Sequence, residues 1–130
     1  MQEVLEFLKK AGVWYLATDD GGQPRVRPFG AQNIFEDKLY IQTGLKKNVA
    51  QQMLKNPKIE ISGMADGKWI RLTAEAVLDE RIEAQEAMLD ANPVLKNMYK
   101  AGDGNTAVFY LKNATAVICS FTEEPRIIKF

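Results

Sequence analysis

Apolar positions along this chain keep two different rhythms, and the changes between them mark out the elements. Between Gln2 and Ala11 the residues Val4, Leu5, Phe7, Leu8 and Ala11 recur at helical spacing and Gly12 follows, which predicts an opening amphipathic helix. From Val13 to Thr18 the chain is rich in β-formers, and Asp19-Asp20-Gly21-Gly22-Gln23-Pro24 is a turn leading into a strand that carries Arg25 and Arg27. Ala31 to Phe35 reads as the continuation of that second strand, Glu36-Asp37 as a turn, and Lys38 to Thr43 as the antiparallel return. On this reading the two arginines and the segment after Thr43 lie on adjacent strands. Asn48 and Gln51 have capping-box spacing and would open a short helix, with Val49, Met53 and Leu54 inward, that ends before Pro57.

Two further strands, Ile59 to Met64 and Trp69 to Leu78, flank the turn Ala65-Asp66-Gly67-Lys68. The second alternates Trp69, Arg71, Thr73 and Glu75 against Ile70, Leu72, Ala74 and Ala76, so one of its faces is polar. Asp79 is placed to cap a helix running through Asn92, and Pro93 to open a shorter one ending near Tyr99. Gly102-Asp103-Gly104 closes this insertion. A β-rich run from Ala107 to Phe121, bulged around Lys112-Asn113, and a last strand from Arg126 to Phe130 complete the chain. Antiparallel strands in meander order with short helices between them favour a mainly β domain built as a closed or split barrel, and residues 1–130 read as a single domain.

Composition narrows the function classes. Lys plus Arg and Asp plus Glu both number 17, so no overall basic field exists to hold nucleic acid or an anionic membrane. The one cysteine, Cys119, excludes an internal disulfide and a thiolate zinc site, fits a reducing cytoplasm, and reads as a small buried hydrophobe. Neither a signal peptide nor a bilayer-spanning run is expected. The absence of histidine removes Ser-His and Cys-His nucleophile systems and the commonest metal ligand. An enzyme of this composition would leave its chemistry to a cofactor, and no catalytic side chain is assigned.

The candidate chemistry lies in two stretches. In Pro24-Arg25-Val26-Arg27-Pro28-Phe29-Gly30 the arginines stand two apart, so on an extended strand both project from one face and can converge on an anion. In Thr43-Gly44-Leu45-Lys46-Lys47-Asn48 a hydroxyl, a glycine and two cations precede a helix N-terminus, a combination suited to phosphate. It lacks the glycine spacing of a Walker loop. Trp69 and Arg71 could stack on or pair with a planar ligand, or belong to a subunit interface. The carboxylates Glu80, Glu83, Glu86 and Asp90 read as the solvated side of a helix.

The runs Trp14-Tyr15-Leu16-Ala17-Thr18, Pro24 to Gly30, Lys38-Leu39-Tyr40-Ile41-Gln42-Thr43, Lys46-Lys47-Asn48-Val49 and Asn56-Pro57-Lys58 resemble the pyridoxamine 5′-phosphate oxidase-like family of FMN-binding split barrels. The resemblance continues through Trp69 to Ala76 and Phe109-Tyr110-Leu111, covering most of the chain. It implies an antiparallel six-stranded split β-barrel of Greek-key type that binds FMN, and a homodimer with the cofactor at the subunit interface. It further implies that Arg25, Arg27, Thr43, Lys46 and Lys47 hold the phosphate and ribityl chain, and that Arg27, Pro28 and Phe29 run along the flavin ring. Trp69, Arg71 and the Phe121 region would approach from the other subunit. The chain departs from the true oxidases in ending at Arg126-Ile127-Ile128-Lys129-Phe130, without their longer substrate-binding segment, which argues against vitamin B6 oxidation.

The leading expectation is therefore an FMN-dependent oxidoreductase acting on a small molecule. Alternatives are a non-catalytic flavin-binding, storage or redox-sensing protein, and a deazaflavin-dependent reductase. Some relatives bind haem, but without histidine its common axial ligation is closed to this chain. An OB-like barrel for single strands would need a basic groove with exposed aromatics, against zero net charge and 9% aromatic residues.

Overall fold

The computed structural model describes residues 1–130, which fold in the order α1 (Gln2–Ala11), β1 (Trp14–Asp20), β2 (Gln23–Phe29), β3 (Gln32–Phe35), β4 (Lys38–Gly44), α2 (Asn48–Lys55), β5 (Lys58–Ala65), β6 (Lys68–Asp79), α3 (Ile82–Ala91), a 3₁₀ turn (Pro93–Asn97), β7 (Thr106–Cys119) and β8 (Arg126–Lys129). All pairings are antiparallel and the strand order is β2-β1-β5-β6-β7-β4-β3, with β8 added to β7. The architecture is a split barrel.

Eight strands stand where the sequence reading traced seven, because the run read as one strand from Arg25 to Phe35 is two. β2 pairs with β1 and β3 pairs with β4, so they close opposite ends of the sheet order. The break falls at Gly30, where an added Cβ would press within 3.2 Å of the Gly12 carbonyl oxygen, so the chain crosses over in contact with the end of α1. The arginine strand and the Lys38–Gly44 strand are consequently not ladder neighbours, as the sequence had suggested. They meet across the seam of the barrel instead.

Alternation on the long strands sorts residues as expected: Ile70, Leu72, Ala74 and Ala76 of β6 enter a 22-residue core, joined by Trp14 and Leu16 of β1 and Leu39 and Ile41 of β4. α1 adds Val4, Leu5 and Leu8, and α2 adds Val49, Ala50 and Met53. Burial of this kind contributes about 25 cal/mol per Å² of apolar surface and is the main term favouring the barrel. A smaller cluster of five, Ala31, Tyr40, Ala84, Met88 and Val108, lies on the opposite face of β4 and β7 beneath α3. The pairing of β6 with β7 shifts register between Thr73 and Glu75 opposite Lys112 to Thr115, the bulge expected near Asn113, which adopts φ 52°.

Local details depart from the sequence reading in three places. Asn48 does not cap α2; Lys47 holds the cap position without a side-chain bond, and Gln51 reaches back through Nε2 to the Leu45 carbonyl at 2.9 Å. Asp79 ends β6 rather than capping α3, whose cap position is Arg81. Cys119 is only half-buried, because its parity on β7 turns it to the outer face of the sheet. No helix is long and apolar enough to cross a membrane.

Candidate functional site

The seam between the end of β2 and the end of β4 contains a cavity of about 320 Å³, within the size range of small-molecule sites. Pro28, Phe29, Gly30 and Ala31 form one wall, and Gln42, Thr43 and Lys47 the next. The segment after α3 supplies the third through Asn92, Val94, Leu95, Met98 and Tyr99. Apolar groups dominate two walls, while a cation and a hydroxyl stand together on the β4 side.

The turn that presents Lys47 is held by backbone bonds. Lys47 N–H donates to Gly44 O at 3.0 Å, Leu45 N–H to Asn105 O at 2.6 Å and Lys46 N–H to Asn105 Oδ1 at 3.1 Å. Asn105 is in turn fixed by Asp103, whose carboxylate accepts the N–H groups of Lys100, Asn105 and Thr106. Those bonds, from Lys100 and Thr106 first, hold the Asp103 carboxyl well below the ordinary carboxylate range. Gly44 is closely packed: a Cβ would lie 3.2 Å from both Tyr99 Oη and Asn105 Nδ2, a tight contact.

Gln42 is the anomaly of the cavity. Its side chain is 6% exposed, and neither Oε1 nor Nε2 has a hydrogen-bond partner. Leaving a buried polar group unpaired costs about 1–3 kcal/mol. By strand parity Gln42 shares the face of Tyr40 and Gly44, the face covered by α3 and the Asn92–Tyr99 segment. Sequence reasoning missed Gln42, although a lone amide in Leu39-Tyr40-Ile41-Gln42-Thr43 is a visible signal on a strand buried on both faces. Asn92, Tyr99 and Asn105 were also missed, since nothing local distinguishes them from loop residues.

The sequence model of the family described as pyridoxamine 5′-phosphate oxidase matches residues 1–118. The chain belongs to that family. Among solved structures, a NimC/NimA family protein from Clostridium acetobutylicum shares 50% identity and superposes with a TM-score of 0.98, over 100% of this chain and 92% of that one. A pyridoxamine 5′-phosphate oxidase-related, FMN-binding protein from Nostoc punctiforme has the same fold at 14% identity and a TM-score of 0.65, covering 99% of this chain and 95% of its own. The haem storage protein HutZ from Vibrio cholerae shares the fold at 18% identity and a TM-score of 0.66, over 85% of this chain and 87% of its own. A search of curated protein sequences finds no match.

For this family member, the residues singled out in the sequence separate into three places. Pro28, Phe29, Thr43 and Lys47 line the cavity. Arg25 and Arg27 share one face of β2 with Phe29, whose ring packs on Trp14 at 5.4 Å, and that face turns toward α2. There Arg25 Nε is paired with Asp20 at 3.1 Å, while Arg27 donates to Thr18 Oγ1 and Gln52 Oε1, both at 2.7 Å, and to Leu16 O at 3.3 Å. Burial first, and then the Arg25 charge, lower the Arg27 pKa from its ordinary value. Lys46 is exposed beside the same helix start.

Trp69, Arg71 and Phe121 lie elsewhere, on the outer face of the sheet. The Trp69 and Phe121 rings stand 5.1 Å apart and Arg71 pairs with Glu60 at 2.9 Å, so within one chain none of the three reaches the cavity. Their face carries cross-strand rows that mix apolar and polar groups. One runs Pro28, Tyr15, Ser62, Arg71, Val117, Ile127 over six strands, and Met64 and Cys119 flank Trp69. Met64 is 66% and Phe121 91% exposed.

Proposed function

We propose that this protein is an FMN-binding flavoprotein, a homodimer that transfers hydride or electrons to a small-molecule substrate. The observation that carries the reading is the composition of one cavity: Lys47 and Thr43 on one side, an apolar slot between Phe29 and the Leu95–Met98 segment, and an unpartnered buried amide at Gln42. A phosphorylated ligand with a planar ring asks for that combination. Lys47 and Thr43, with Arg25, Arg27 and Lys46 around the start of α2, would hold the phosphate and ribityl chain, and the backbone of Arg27, Pro28 and Phe29 would follow the ring. Bound FMN would supply the hydride- and electron-accepting chemistry. The chain's part is to orient and to exclude water: Phe29 is braced by Trp14, and the positive charge of Lys47 offsets negative charge on a ligand.

The outer face supports the homodimer. Exposed Tyr15, Met64, Phe121 and Ile127 group on this face as on an association surface, and a second copy seated there would bring Trp69, Arg71 and Phe121 toward the cofactor. The family match and the FMN-binding Nostoc relative favour flavin. The haem named for HutZ is less suited to a chain with no histidine for an axial ligand.

Purified protein mixed with FMN, desalted and run on a sizing column should keep a flavin spectrum on a dimer. Replacing Arg25 and Lys47 together by Ala should weaken FMN far more than riboflavin, because the lost contacts are to phosphate; equal weakening of both would sink the phosphate assignment. Reduction of the bound flavin by NADH, followed by transfer to an acceptor, separates an oxidoreductase from a storage protein.

A further inference from the structure

We infer that Gln42 is the specificity-determining residue of the cavity, reading the imide edge of a flavin ring, an inference that rests on the flavin reading above. Three observations converge on it. Both polar atoms of the amide are buried without a partner, so the site carries a donor and an acceptor that the folded chain does not use. Of the neighbouring buried polar groups, Gln32 accepts from Trp14 Nε1 at 2.7 Å and Tyr40 donates to Asp79 at 2.7 Å, and although Asn33 Oδ1 also lacks a partner, Asn33 does not line this cavity. Gln42 also lines the cavity rather than the closed core, on the β4 face that meets the segment carrying Leu95 and Met98.

The chemistry of the group defines its complement. A carboxamide offers a carbonyl acceptor beside an N–H donor in one plane. Its best partner is a planar group with an N–H beside a carbonyl, which takes both bonds at once. On an isoalloxazine ring that is the N3–H flanked by C2=O and C4=O, whereas the dimethylbenzene edge offers neither donor nor acceptor. The terminal torsion of a glutamine side chain is soft, so the amide can turn to match either carbonyl. Such a contact would also orient the ring, with its imide edge at Gln42 and the phosphate toward Lys47.

The test compares FMN with N3-methyl-FMN, in wild-type protein and in Gln42→Leu, by titrating flavin fluorescence. Wild type should bind FMN on the order of tenfold tighter than the methylated analogue, and Gln42→Leu should lose most of that preference through weaker FMN binding. An equal affinity of wild type for the two flavins, or a preference that survives in Gln42→Leu, overturns the assignment while leaving the protein a flavin binder. Failure of wild type to take up FMN overturns the flavin reading itself, a separate result. Should Gln42→Leu not fold, Gln42→Met keeps the side-chain length, and the N3 proton of ¹⁵N-labelled FMN bound to wild type gives an independent readout. Slow exchange of that proton supports the contact, and solvent-like exchange overturns it.

Discussion

Tyr40 and Gln42 are neighbours on the same face of β4, two residues apart, and they meet opposite fates. Tyr40 belongs to a closed polar network: its hydroxyl donates to Asp79 Oδ2 at 2.7 Å, and Arg81 reaches Asp79 through Nη2 at 2.9 Å and Nε at 3.0 Å while pairing with Glu36 at 2.9 Å. Gln42 has no partner at all. The first arrangement ties α3 to the sheet, since the Arg81 N–H at the cap position of α3 also donates to Asp79. The second does nothing for the fold. The contrast distinguishes polar groups buried for structure, which are satisfied within the chain, from those kept for a ligand.

The largest effect should come from cutting the closed network. Asp79→Ala leaves the buried Tyr40 hydroxyl without its acceptor and Arg81 without its main partner, and unfolding by denaturant should show a loss of roughly 2–3 kcal/mol. Acid should act on the same group more gently. The Arg81 hydrogen bonds, opposed by burial and helped by Tyr40, hold the Asp79 carboxyl at about 2, below its ordinary 3.8. The folded chain therefore keeps this group ionised to lower pH than the unfolded chain does, and the stability it contributes is present above pH 4 and lost as pH falls toward 2. The loss should be on the order of 2 kcal/mol by linkage, and missing in Asp79→Asn.

Gly44→Ala probes the boundary between the two regions. Its methyl would crowd Tyr99 and Asn105, costing about 1 kcal/mol in denaturation and loosening FMN retention, because the Lys47 turn hangs on Asn105. The smallest change, and the one of opposite sign, belongs to Gln42→Leu without ligand: stability within about 1 kcal/mol of wild type or above it, since an unpaired amide is removed. A loss as large as that of Asp79→Ala would show that Gln42 is structural and erase the contrast.

Periodicity made the strands and helices legible, and the alternation along Trp69 to Ala76 assigned inner and outer faces correctly. It could not show the break at Gly30, because Arg25 to Phe35 carries β-formers on both sides and the reason for the break is contact with Gly12, remote in sequence. For the same reason the two halves of the site were brought together by the wrong route, as ladder neighbours rather than across a seam. Thr43 and Lys47 could be found from a local motif. Asn92, Tyr99 and Asn105 owe their place to the return of the chain after α3, a tertiary fact with no local signature. The capping roles given to Asn48 and Asp79 failed where other partners, Leu45 for Gln51 and Arg81 for Asp79, took the bonds.

The seam has a consequence for how the molecule comes apart. Its strand walls are β2, at one end of the sheet order, and β4, next to the other end, joined through β1, β5, β6 and β7. No pair of hydrogen-bonded strands contains both walls, so a barrel opened between β2 and β4 has lost the cavity. A ligand held there therefore binds only the complete fold, and its free energy of binding is added to every route of opening that parts the two ends of the sheet. Occupancy would then slow hydrogen exchange in β2 and β4 together, although those strands share no hydrogen bond.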